Sequence, residues 1–121
     1  MRQATIYIGL NDAETHEQKF ETEKYVRLVK NICREYHVAV SVNRMSGSYF
    51  HEDGSYVEEE TLVLMLMGVP DETIREIARD VCVFFNQESV LVSYAECETH
   101  FMKEMIQIDG FTVQRISGSG G

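Results

Sequence analysis

The segment "ETLVLMLMG", residues 60–68, is the feature that most restricts how this chain can fold. Successive side chains of a β-strand point to opposite faces, so the three leucines would share one face and Val63, Met65 and Met67 the other. Both faces are apolar. A strand of this kind is typical of the interior of a sheet that has helices on one side and a second layer on the other. The chain must therefore cover two sides of this strand.

The flanking segments predict the order strand, helix, strand, strand, helix, strand. Alternating apolar residues predict strands in "ATIYIGL", "HVAVSVNRM", "ETLVLMLMG" and "SVLVSYAE". Helical spacing predicts a long helix within "NDAETHEQKFETEKYVRLVKNICREY", with Thr15 and Gln18 as a capping box. A second helix opens at Pro70 and buries Phe84 and Phe85. This order predicts an α+β fold, a ferredoxin-like βαββαβ sandwich with both helices on one face of an antiparallel sheet.

A β-hairpin is predicted in "MIQIDGFTVQRI", residues 105–116, because Asp-Gly separates two alternating apolar runs. A two-residue turn at Asp-Gly would pair Ile108 with Phe111 and Ile106 with Val113. These four side chains would form one apolar face. The hairpin is therefore a candidate cover for the sheet face that has no helices.

The chain is expected to divide into a ferredoxin-like sandwich (1–103), a hairpin arm (104–116) and a flexible Gly/Ser tail (117–121). Either the arm or a second copy of the chain would cover the open sheet face. We therefore expect a homo-oligomer, in the simplest case a dimer. The predicted interface residues are Val63, Met65, Met67, Ile106, Ile108, Phe111 and Val113.

The formal net charge of −9 argues against direct binding of nucleic acid, because the chain repels a phosphate backbone. Acidity also keeps proteins in solution, and this is the simplest explanation of the charge. A basic protein partner is compatible with the same charge. The composition, 44% hydrophobic and 26% charged, is that of a folded domain.

Three cysteines without a Cys-x-x-Cys spacing indicate neither a disulfide framework nor a zinc site. Cys33 and Cys82 fall on the predicted apolar helix stripes and are expected in the core. No apolar run is long enough to cross a membrane, and "MRQATIYIGL" is too polar for a signal peptide. We expect a cytoplasmic protein with no membrane association.

Three segments, "TIYIGL", "HEDGSYVEEE" and "FFNQESVLV", resemble a family of small bacterial ferredoxin-like proteins known only as a domain of unknown function. That family has a strand ending in Phe-Gly-Leu, an Asp-Gly followed by Glu, and a Phe-x-Gln-Glu-Ser-Val-Leu segment. The resemblance covers residues 4–102 and implies the same fold. It implies no activity, and the chain departs from the family by lacking a tryptophan before Asp-Gly and a signal for export.

Glu96, Cys97, Glu98 and His100 form the densest group of potential ligands. At strand spacing, the two glutamates and the histidine would project from one face, where they could hold a divalent metal or perform acid–base chemistry. A polar strand end in solvent explains the same residues. No other segment supplies an obvious further ligand, so we expect neither a metal nor a cofactor.

Other polar residues have structural explanations. In "HEDG", the pair Asp53-Gly54 predicts a turn between the second and third strands, after a break at Gly47. His16 is expected in the first turn of the first helix. Gln87 and Ser89 could bind a ligand, but a turn leading into the fourth strand needs the same residues.

Two functional hypotheses follow. The first is a non-enzymatic acidic protein that acts by protein–protein interaction, for example as an inhibitor of a basic nucleic-acid-handling partner in phage anti-defence. The alternative is a small-molecule or nucleotide-metabolite binding protein, or a small enzyme, with its site between protomers. Candidate ligand-binding residues are Tyr7, Arg44, His100 and Arg115. The common catalytic motifs are missing from the sequence, so no catalytic residue is assigned.

Overall fold

The described strands form two separate sheets, one of four strands and one of two. The computed structural model describes residues 1–102 with their side chains and the backbone of 104–109 and 112–117. The strands are β1 (Arg2–Gly9), β2 (Ser41–Phe50), β3 (Tyr56–Met67), β4 (Leu91–Glu96), β5 (Glu104–Asp109) and β6 (Thr112–Ser117), and the helices are α1 (Thr22–Glu35) and α2 (Asp71–Phe84).

The four-stranded sheet has the order β2-β3-β1-β4, and every pairing in it is antiparallel. The strand with two apolar faces, β3, therefore lies inside the sheet, as its sequence predicts. Together with α1 and α2, this order is the predicted ferredoxin-like βαββαβ sandwich. Neither described helix has the length and apolar character needed to span a membrane.

The core lies between the two helices and one face of the sheet. Leu62, Leu64 and Leu66 of β3 are fully buried there, beside Ile6 and Ile8 of β1. Both helices turn their apolar stripes to this face, and burying such side chains is the main force that holds the layers together. The stripes comprise Tyr25, Val29, Ile32, Cys33, Ile74, Ile77, Ala78 and Val81.

The end of α2 differs from the prediction at one residue. Phe85 is buried, whereas Phe84 is 67% exposed, so the expectation that both rings enter the core is wrong for Phe84. The buried stripe runs from Val81 to Phe85, four residues on, which leaves Phe84 on the flank of the helix. Cys33 is buried, as expected, and Cys82 is half-buried.

Neither of the two described helices lies on the opposite face of the sheet. Val63, Met65 and Met67 of β3 point to this open face, together with Tyr7 of β1 and Leu91 of β4. Val63 is buried between its neighbours, whereas Met65 and Met67 are 37% and 41% exposed.

The hairpin between β2 and β3 is longer than predicted. The expected break at Gly47 is wrong, because β2 continues through it to Phe50 and pairs Gly47 with Glu59. Asp53-Gly54 does form the turn, with Gly54 at φ 86°. The carboxylate of Asp53 accepts hydrogen bonds from the amide and hydroxyl of Ser55 at 2.9 and 2.6 Å, which lowers the pKa of Asp53.

The terminal hairpin forms the two-stranded sheet, but with another register. Ile108 pairs with Val113 and Ile106 with Arg115, so the predicted pairing of Ile108 with Phe111 is wrong. Two-residue hairpin turns accept glycine at either central position, so Asp-Gly fixes the existence of the hairpin and not its register. The strand also includes Ser117, which the sequence assigned to the tail. The side chains of the arm, and Phe111 entirely, lie outside the described part.

Candidate small-molecule site

A cavity of about 900 Å³ opens at the end of the sheet where β1 ends. Three connections meet around it: the segment after β1, the turn between β2 and β3, and the link from α2 to β4. The lining residues are Gly9, Asn11, Asp12, Ala13, His16, Tyr49, His51, Glu52, Asp53, Glu59, Gln87, Glu88 and Ser89.

Glu59 lines the cavity and belongs to the open face of the sheet by its position in β3. Its carboxylate lies over Gly9, where a β-carbon would overlap it, and one of its oxygens accepts the Asn11 amide at 3.0 Å. The missing side chain at Gly9 therefore gives Glu59 room to turn into the cavity.

The segment 11–20 forms one wall of the cavity and is not helical. The carboxylate of Asp12 accepts the amides of Glu14 and Thr15 at 2.9 and 3.1 Å. The aspartate closes a local turn with these amides, and the left-handed backbone of His16, φ 61°, follows it. The helix starts at Thr22, so the predicted capping box of Thr15 and Gln18 is wrong.

Asp12 also ties this wall to the link after α2. It accepts Asn86 Nδ2 at 2.9 Å and pairs with Lys19 Nζ at 3.0 Å, while its side chain is only 4% exposed. The amide of Asn86 and the amides of Thr15 and Glu14 lower the pKa of Asp12 far below its usual range, with a further contribution from Lys19. Asp12 is therefore a negative charge fixed at the cavity wall.

The link from α2 to β4 has a structural role, as predicted for Gln87. Gln87 Nε2 donates to the Asn11 carbonyl at 2.7 Å, and the Asn86 carbonyl accepts the Ala13 amide at 3.1 Å. Asn86 has φ 49°, a conformation that asparagine adopts more easily than most residues. Gln87 and Ser89 also line the cavity, so the same turn connects α2 to β4 and contributes residues to the site.

Three aromatic rings line the cavity, those of Tyr49, His16 and His51. The ring of His51 contacts Tyr49 and His16 edge to face, with centroid distances of 5.2 and 5.3 Å. Burial raises the pKa of Tyr49, and the carboxylates of Glu59 and Glu88 raise it further. Tyr49 therefore stays a neutral phenol that can donate a hydrogen bond.

The charge of the lining is strongly negative. Five lining residues are carboxylates, and none of the lining residues that the structure describes is a lysine or arginine. Lys19 pairs with Asp12 at 3.0 Å, and the other four carboxylates make the local potential negative, which attracts a cation. The cavity can therefore pair with a positively charged ligand, while the rings and amides supply stacking and hydrogen bonds.

The candidate ligand residues from the sequence lie elsewhere. Tyr7 points to the open face, whereas Arg44 points to the helix side and pairs with Glu23 at 2.5 Å and Glu60 at 3.4 Å. His100 is exposed and contacts Glu98 at 3.1 Å. Arg115 is outside the described side chains. The structure does not bring Tyr7 and Arg44 together within one chain.

The C-terminal ligand cluster is dispersed. β4 ends at Glu96, and the Glu96 carboxylate lies 3.9 Å from the N-terminal amine. Over residues 1–102, no three side chains of the metal-binding types converge into a site.

Sequence reasoning missed the main cavity residues. His16 was assigned to the first turn of a helix, Asp12 lay before the predicted cap without a role, and Glu59 was one acid in a run of three. The available signal was Gly9 at the end of β1, since an isolated glycine in a strand marks close approach by another group.

Comparisons with known proteins identify the fold. No protein-family model and no curated protein sequence matches the chain. A phage SAM lyase, solved in complex with S-methyl-5'-thioadenosine, is similar in structure with a TM-score of 0.61 and 20% identity, and the match covers 97% of this chain and 89% of that one. CutA1 from Pyrococcus horikoshii has a TM-score of 0.52 and 13% identity, with 85% and 89% covered.

A third similar structure is the periplasmic divalent cation tolerance protein CutA from Archaeoglobus fulgidus, with a TM-score of 0.53 and 15% identity, covering 82% of this chain and 87% of that one. At these identities, the likeness establishes a shared fold. This is the fold that the resemblance to small bacterial proteins implies, and membership of that family stays a prediction.

Proposed function

We propose that the chain binds a small cationic metabolite of the adenosyl-sulfonium type in the cavity at the end of the sheet. This is the small-molecule alternative among the two functional hypotheses. The observation that carries it is the cavity lining, in which five carboxylates, two histidines and a tyrosine meet without a lysine or arginine among the described lining residues.

The charge of S-adenosylmethionine suits this lining. Its sulfonium and ammonium groups are cationic, and Glu59 is a carboxylate in the cavity lining that accepts a hydrogen bond from the Asn11 amide. Hydrogen bonds and ion pairs to charged groups are the stronger ones in a partly enclosed site. The similar phage SAM lyase, solved with S-methyl-5'-thioadenosine, supports a ligand of the same class here.

The test is calorimetric titration of the full chain with S-adenosylmethionine and with S-adenosylhomocysteine, which lacks the sulfonium charge. We expect tighter binding of the sulfonium, and a loss of at least about tenfold in Glu59→Gln, because one charge-assisted contact contributes about 1.5–3 kcal/mol. Glu58→Gln is the matched control, since Glu58 is exposed and does not line the cavity.

Equal affinity for the two ligands, or no binding of either, would contradict the proposal. Mass spectrometry of the same mixtures for S-methyl-5'-thioadenosine decides whether the bound sulfonium is also cleaved.

A second part of the proposal concerns association between copies. Tyr49 and Glu59 lie on the same face of the sheet as Met65 and Met67. A second copy seated on the open face would border the cavity, which is the arrangement of a site between protomers. The expectation of a basic partner protein, and of an inhibitor role, stays a prediction from the net charge of −9.

A further inference from the structure

His16 and His51 come from segments 35 positions apart and meet in the lining of the cavity. The planes of their rings are nearly perpendicular, at 89°. The ring of Tyr49 packs against that of His51, with an angle of 80° between the two planes. We call His16 and His51 the histidine ledge.

His16 reaches this position through an unfavourable backbone conformation. Its φ is 61°, in the left-handed region that residues other than glycine rarely adopt. The hydrogen bonds of Asp12 to the preceding amides, and the His16 amide that donates to the Asp12 carbonyl at 2.9 Å, hold the segment there. Strain of this kind is maintained where the surrounding structure fixes it, often at binding sites.

Packing in the core does not explain the ledge. His16 is exposed and His51 is half-buried, so neither ring belongs to the core. Within residues 1–102, neither imidazole takes part in a side-chain hydrogen bond or ion pair, and no metal-binding group of three forms around them.

We infer that the histidine ledge binds the purine base of the cavity ligand and sets specificity for a nucleoside over a simple sulfonium. This inference rests on the proposed function and names the part of the ligand that each group recognises. Flat heteroaromatic rings stack on aromatic side chains of any type, and Asn11, whose side chain carries an amide, lines the same cavity. The carboxylates would then hold the cationic end.

The experiment separates base from charge with three ligands. S-methyl-5'-thioadenosine has the base and no charge, S-methylmethionine has the sulfonium and no base, and S-adenosylmethionine has both. The variants are His16→Asn and His51→Asn, which each remove a ring. Asparagine also tolerates the positive φ of position 16. His37→Asn is the matched control, because His37 also has positive φ, 55°, and does not line the cavity.

We expect each ledge variant to weaken both adenosyl ligands about tenfold, within the range of base stacking on an aromatic side chain, and to leave S-methylmethionine unchanged. His37→Asn should bind all three ligands as the parent chain does. If both ledge variants bind the adenosyl ligands as the parent chain does, the inference that the ledge binds the base is wrong, and the proposed function is unaffected.

A further outcome is that the ledge variants weaken the binding of S-methyl-5'-thioadenosine while the parent chain binds it as tightly as S-adenosylmethionine. In that case the role of charge in the proposed function is wrong, and the role of the ledge is supported. If no adenosyl ligand binds the parent chain, both are overturned.

Discussion

At the scale of single residues, Asp12 has the most connections around the cavity. Its carboxylate joins two amides of its own segment, the side chain of Asn86 and Lys19. The same contacts that favour its ionised form hold the 11–20 wall against the link after α2. Site geometry and local stability therefore depend on one charge.

This predicts a pH-dependent contribution to stability. The pKa of Asp12 is lowered in the folded chain, so its contribution is complete above the unfolded value near 3.8 and declines progressively as the pH falls from there through the folded pKa. We expect Asp12→Asn to lower the free energy of unfolding at pH 7, and to lower it by a smaller but still measurable amount at pH 3. Urea unfolding at both pH values measures this, and an equal difference at the two would contradict it.

At the scale of elements, β3 shows how one strand serves two environments. Its leucines are buried under the helices, whereas Met65 and Met67 lie on the open face. The alternation of the sequence predicted both sets correctly. The start of α1 was predicted six residues too early, because His16 takes a left-handed backbone conformation that a right-handed helix does not contain.

Substitutions on the two faces of β3 should differ in cost. Leu64→Ala removes a fully buried side chain and should lower the free energy of unfolding by about 2–5 kcal/mol. Met65→Ala, next in sequence and 37% exposed, should cost less than about 1.5 kcal/mol in dilute solution. Denaturant unfolding of both variants at low protein concentration compares them, and equal losses would mean that the open face is packed as tightly as the core.

At the scale of the whole molecule, the open face of the sheet leaves apolar side chains such as Met65 and Met67 partly exposed to solvent. The helices lie on one side of the sheet, and the terminal hairpin forms a sheet of its own. A large exposed apolar area is typical of an interaction surface. We propose that the chain divides into a sandwich and an arm, and that the arm or a second copy of the chain covers this surface.

Truncation after Lys103 tests the role of the arm. We expect the shortened chain to have a lower molar mass by light scattering, or a lower melting temperature, because part of the proposed cover is lost. Deletion of residues 118–121 alone is the control and should change neither. A shortened chain with unchanged assembly and stability would show that the arm is not the cover.

The sequence by itself determined the order of elements, the central place of β3 and the residues of the core, because these depend on local periodicity and on burial of apolar surface. Only the tertiary structure decided the cavity, since Glu59, Asp12 and His51 come from separate segments and meet through sheet pairing and side-chain hydrogen bonds. It also decided the hairpin register and the left-handed backbone at His16. Such contacts join residues distant in sequence, and no local pattern specifies them.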